Sequence, residues 1–277
     1  DRATDLATDL ADSTYITGVT EGSLGGPSLG GGDAFVTKYS ANGDAQWTTQ
    51  WGSSQRDDAR GIAVDESGCV FVVGYSLGDI GGPLLGGEDA FIAKIDSVGG
   101  IVWVRKIGTP QPDFAQDVVV DQFGSVFVAG YTSGSLAGAS AGVADAFVAK
   151  LDQSGNVVWI HQFGTAEFDG AYAIAVDAAG DVFVAGTTNG SLGGDYSGAT
   201  DVFVARISSL GTLHWVRQYG SATGESVGGV ATDAAGNAYV SGNANVNGTG
   251  APWRDGLLLS YDNMGALRWS RVFGTDS

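Results

Sequence analysis

The chain of 277 residues carries 31 acidic side chains against 13 lysines and arginines, a formal net charge of −18, with 46 glycines, one cysteine and two histidines. Its 43% hydrophobic content excludes a disordered acidic tail, and the single cysteine excludes a disulfide framework or a Cys/His zinc cluster. No apolar run approaches the roughly 20 residues that span a bilayer, so no membrane insertion is expected, and a surface this acidic repels phosphate backbones, so nucleic acid is not an expected partner.

The chain repeats itself. Trp47, Trp103, Trp159, Trp215 and Trp269 are spaced 56, 56, 56 and 54 residues apart, and Gly52 to Gly274 and Asp33 to Asp255 keep the same spacing. Copy one (1–56) has Asp12 where later copies have a turn glycine. Copy two (57–112) is the clearest: GIAVD (61–65), a turn at Glu66-Ser67-Gly68, CVFVVGY (69–75), a Gly-rich stretch, DAFIAKI (89–95), a turn through Gly99, and IVWVRKIG (101–108). Copies three (113–168) and four (169–224) follow it closely, whereas copy five (225–277) is two residues short and its Gly-rich loop has lost the GSLGG pattern. Runs rich in Val, Ile, Phe and Trp, bounded by Gly, Asp and Ser, predict four short strands per copy, a to d from the axis outward. The expected fold is all-β: one β-propeller domain over 1–277, built from five four-stranded antiparallel blades. Turns a–b and c–d are tight. The b–c loops (76–88 in copy two) and d–a loops (109–116 in copy three) are long and share the other face, the expected functional face. Counting linker residues predicts that the five units close into a monomeric ring, while the start of the chain also fits a fragment of a longer surface protein.

The unit GIAVD-x-x-G-x-VFVxGYTxGSLGG…DAFVAKxDxxGxxxWxxxxG resembles the bacterial β-propeller repeat SBBP in all five copies, most clearly at 57–224. The first half is also similar to NHL-type blades and the c–d half to PQQ-type blades. The resemblance implies a secreted or cell-surface bacterial protein, often multidomain, with no assigned catalytic residues. The family's name refers to seven blades, whereas five copies stand here.

Three acidic positions recur in every copy. Asp9, Asp65, Asp121, Asp177 and Asp233 read as Asx-type turns, and Asp33 to Asp255 as ties to the loop before strand c. Asp1, Asp57, Asp113, Asp169 and Glu225 are expected in the d–a loop near the axis. There they either form an axial cation site, with Ca2+ the fitting ion although none is required, or tie each loop to its neighbour. The tryptophan series reads as packing between blades. Trp253 departs from the repeat, and with Tyr75 and Tyr131 it is the expected ligand-binding set. His161, His214 and Cys69 have no nucleophile or base arranged around them.

These residues support a non-enzymatic extracellular binding or scaffold propeller whose partner is a protein. A lectin with repeated glycan sites is the alternative. A glycoside hydrolase using Asp5, Asp117 and the axial acids is the third reading, disfavoured because near-identical blades lack a unique acid/base pair.

Overall fold

The computed structural model describes residues 1–244 and 255–274. Blade 1 comprises β1 (Arg2–Thr8), β2 (Thr14–Thr20), β3 (Asp33–Tyr39) and β4 (Ala45–Trp51). Blade 2 comprises β5 (Asp57–Val64), β6 (Val70–Ser76), β7 (Asp89–Ile95) and β8 (Ile101–Ile107). Blade 3 holds β9 (Asp113–Val120), β10 (Val126–Thr132), β11 (Asp145–Leu151) and β12 (Val157–Phe163). Blade 4 holds β13 (Asp169–Val176), β14 (Val182–Thr188), β15 (Asp201–Ile207) and β16 (Leu213–Tyr219). Blade 5 holds β17 (Glu225–Thr232), β18 (Ala238–Ala244), β19 (Asp255–Tyr261) and β20 (Leu267–Phe273). Each blade is a separate four-stranded antiparallel meander, so the chain is a five-bladed all-β propeller, as its period implies.

The tight turns form as their residues dictate. Asp65 Oδ1 accepts from the Ser67 and Cys69 amides at 2.9 Å, and Gly68 closes the turn with φ 79°. In blade 1 Asp12 takes that left-handed place with φ 58°, a conformation short polar side chains tolerate. At the other face the second acidic series ties the b–c loops: Asp33, Asp89, Asp145 and Asp201 accept from the amides of Leu29, Leu85, Ala141 and Ser197 at 2.7–3.0 Å.

The core lies between blades rather than within them. One apolar cluster joins Tyr15, Val36 and Trp51 of blade 1 to Ala59, Ile62 and Val72 of blade 2, and equivalent clusters fill the next three junctions. At each junction a strand-d indole donates to the c–d turn of the following blade: Trp47, Trp103, Trp159 and Trp215 to the carbonyls of Ser97, Gln153, Ser209 and Asn263, all at 3.2 Å.

Ring closure, expected from the linker count, is not what the structure forms. Inner strands pack in the sequence β1, β5, β9, β13, β17, and among the described residues there is no packing of that extent from β17 back to β1. Leu258 is 37% exposed although Val36, Ile92, Val148 and Val204 at its repeat position are fully buried, and Leu6 is 61% exposed where Ile62, Val118 and Ile174 are buried. The blades form an open arc.

Candidate functional site

Each inner strand carries one β-bulge at the same place, and a bulge re-aims the extra residue away from the ladder. The extra residues are Thr4, Arg60, Gln116, Tyr172 and Gly228, five different types at one position of a chain that otherwise repeats. Two residues earlier, facing the end of strand b, the pairs differ just as widely: Arg2–Val19, Asp58–Tyr75, Phe114–Tyr131, Gly170–Thr187 and Ser226–Asn243. These positions lie where the inner strands begin, at the axial edge of the long-loop face. Arg2, Ala3, Thr4, Arg60 and Gln116 line an open cavity of about 340 Å³ there.

Charge concentrates beside that cavity. The buried Asp58 carboxylate accepts from Arg2 Nη2 at 2.9 Å, from Arg56 Nε at 3.0 Å and from the Tyr75 hydroxyl at 2.9 Å, while Arg60 Nη2 stands 3.9 Å away. Burial opposes ionisation of Asp58, but the Tyr75 hydroxyl and the Arg56 and Arg60 guanidiniums outweigh it and hold the carboxyl below its ordinary range. Three guanidiniums face the Asp58 carboxylate, and Glu21 Oε1 stands 4.0 Å from Arg56 Nη1, so the group keeps a small excess of positive charge on a strongly acidic chain. Arg60 lies over the Tyr75 ring, 5.2 Å from its centroid, and its Nε is buried without an acceptor among the described residues.

An aromatic run continues from this group. Tyr75 meets Phe114 edge-on at 4.9 Å, Phe114 stacks on Tyr131 at 4.9 Å, and Tyr131 contacts Phe168 at 5.2 Å and Tyr172 at 6.1 Å. Burial pushes the Tyr131 phenol up to about 12, so it is a neutral donor at any physiological pH. The structure therefore brings Tyr75 and Tyr131 together through Phe114, and Trp253 lies outside the described residues. Arg2, Arg56, Arg60, Asp58, Phe114 and Tyr172 went unrecognised in the sequence. Aligning the blades and reading down columns 2, 4 and 19 would have found most of them, because those columns vary.

The third acidic series sits differently from the expectation. Asp57, Asp113, Asp169 and Glu225 are the first residues of inner strands rather than loop residues, and all are buried. Each ties its own linker: Asp57 accepts from Ser53 N at 2.5 Å and Ser53 Oγ at 3.0 Å, and also from Ser76 Oγ. Asp113, Asp169 and Glu225 hold the amides and hydroxyls of Thr109, Thr165 and Ser221 in the same way. Asp1 accepts from Thr20 Oγ1 at 2.6 Å. Among the described residues no three His, Cys, Asp or Glu side chains are grouped to hold a metal. Burial raises the carboxyls of Asp57, Asp113 and Asp169, and the second acidic series (Asp33, Asp89, Asp145) adds to the rise. Asp5 and Asp117 are occupied too. Each caps the next residue's amide at 2.8 Å and accepts from the following blade at 2.9 Å, from Ile62 and Ile174 respectively.

The β-propeller repeat model SBBP matches residues 46–81, 102–137, 158–193 and 214–248. The chain belongs to the SBBP β-propeller repeat family. Each SBBP match runs from strand d of one blade through strand b of the next, so the family's unit spans the blade junction where the core lies. The regulatory protein FlaEY of Caulobacter vibrioides is 29% identical over 286 residues, covering 88% of this SBBP chain and 30% of FlaEY, so the chain spans less than a third of that relative. Among solved structures, the Hadza microbial sialidase Hz136 aligns with 98% of this chain and 57% of its own at 13% identity and TM-score 0.56. A puromycin hydrolase aligns with 96% of this chain and 38% of its own at 16% identity and TM-score 0.53. These likenesses establish the propeller architecture.

Proposed function

We propose that this SBBP propeller is a non-enzymatic binding module that receives a protein partner at the axial edge of its long-loop face. The observation that carries the reading is local. A scaffold that repeats its tryptophans, glycines and acids blade after blade abandons the repeat at the bulge and at the strand a–b pair beside it, where Arg2, Arg60, Gln116, Tyr75, Phe114 and Tyr131 converge. Guanidiniums beside rigid aromatic rings suit a partner that presents an acidic side chain next to an apolar one. The regulatory role in the name of FlaEY supports a protein rather than a small-molecule ligand. Asp5 and Asp117, the carboxylates a hydrolase would need, are engaged with backbone amides, which supports binding over catalysis. The family resemblance supports a secreted or cell-surface setting.

The test is a pair of arrays, one of acidic peptides and one of oligosaccharides, probed with the purified chain and with Arg60→Gln. Peptide binding lost in Arg60→Gln is the expected result. Binding confined to oligosaccharides would replace this reading with the lectin, and peptide binding unaffected by Arg60→Gln would move the site elsewhere.

A further inference from the structure

The four blade junctions share one anatomy. The leading side supplies a fully buried aromatic from strand b (Tyr15, Phe71, Phe127, Phe183), a fully buried aliphatic from strand c (Val36, Ile92, Val148, Val204) and the strand-d indole. The receiving side supplies an inner-strand aliphatic (Ile62, Val118, Ile174 in the first three) and a c–d turn glycine. That glycine lies flat on the indole: a Cβ on Gly99, Gly155, Gly211 or Gly265 would stand 2.8–3.1 Å from Trp47, Trp103, Trp159 or Trp215. No side chain fits there.

The two ends of the arc expose the two halves of this joint. On blade 5 the leading half is bare: Tyr239 is only half-buried, Leu258 is 37% exposed, and Trp269 has no acceptor for its indole N–H among the described residues. With Val230 and Val240, Tyr239 and Leu258 line an open, mainly apolar hollow of about 280 Å³. On blade 1 the receiving half is bare: Leu6 is 61% exposed, and Gly43, the counterpart of Gly99, has nothing within 4 Å of its Cβ position. One end lacks a turn to cover its indole, and the other has a turn with no indole beneath it.

We propose that a second copy of this chain docks head to tail on these faces, the blade 5 face of one protomer taking the blade 1 face of the next. The contact continues a surface the chain already uses four times, so its chemistry is that of an interior junction. Because the two faces differ, the interface is heterologous rather than two-fold.

Sedimentation velocity over a wide concentration range tests this, with Leu258→Lys and Leu6→Lys. Both side chains are exposed, so neither change disturbs a folded core. The unaltered chain is expected to form dimers and larger species as concentration rises, and each variant alone to remain monomeric. An equimolar mixture of the two retains one good face of each kind and is expected to stop at a heterodimer. A chain that stays monomeric throughout, or association that survives both single substitutions, overturns the proposal.

Discussion

Replacing Ile92 and Leu258 by alanine, one at a time, compares the same repeat position at a filled junction and at an open one. Each change removes three carbons. Ile92 is fully buried, so at about 0.8 kcal/mol per buried carbon the transfer loss is about 2.5 kcal/mol, and the residual cavity carries it into a range of about 2–5 kcal/mol. Leu258 is 37% exposed and opens onto solvent, so its loss is held to about 1–1.5 kcal/mol with no closed cavity to add. The difference of about 2 kcal/mol corresponds to a melting-temperature gap of about 3–4 °C for a chain this size. Urea and thermal unfolding, followed by tryptophan fluorescence in dilute solution where copies do not associate, would read it. Equal losses from the two substitutions would refute the open arc, because they would mean that the blade 5 face is covered within one chain.

Trp159→Phe removes the N–H donated to Ser209 and is expected to cost about 1–2 kcal/mol, whereas Trp269→Phe, with no such acceptor among the described residues, should lie within about 0.5 kcal/mol of the parent in the same unfolding assay. Gly52→Ala would drive a Cβ to 2.6 Å from Asp33 Oδ1 and 2.8 Å from Asp57 Oδ2, and a loss above about 2 kcal/mol is expected in urea unfolding. Burial first, with the Asp5 charge adding to it, lifts the Asp117 carboxyl from 3.8 to about 6, so the folded state binds its proton more tightly than the unfolded state. That contribution is full below pH 4 and is lost as pH rises to about 6. Melting curves of the parent should therefore fall relative to Asp117→Asn across that window, and parallel curves would contradict the assignment.

The blades were legible because their markers are local and periodic. DAFIAKI coincides with β7 (Asp89–Ile95), and the indole series predicted packing between blades. Inner-strand starts were not legible. The bulge at Arg60 breaks the two-residue alternation, so a strand that begins at Asp57 reads as beginning at Gly61, and the buried acid reads as a loop residue. The open arc was not legible either, because counting linker residues, which pointed to closure, says nothing of the rotation from blade to blade that packing sets. Tyr75 and Tyr131 stood out as aromatics after strand b. The arginines did not, because Arg2 reaches Asp58 across 56 residues and only the folded arc makes them neighbours.

The claim that function resides where the repeat breaks is tested most directly by making the mouth conform to its own siblings. A variant carrying Arg60→Gly, Phe114→Ser and Tyr131→Thr borrows the residues found at the same positions in Gly228, Ser226 and Thr187, which the fold already accepts. Titrated by calorimetry with an acidic peptide that binds the parent, this variant is expected to keep its blades by circular dichroism and to lose binding at least tenfold. Undiminished affinity would contradict the account.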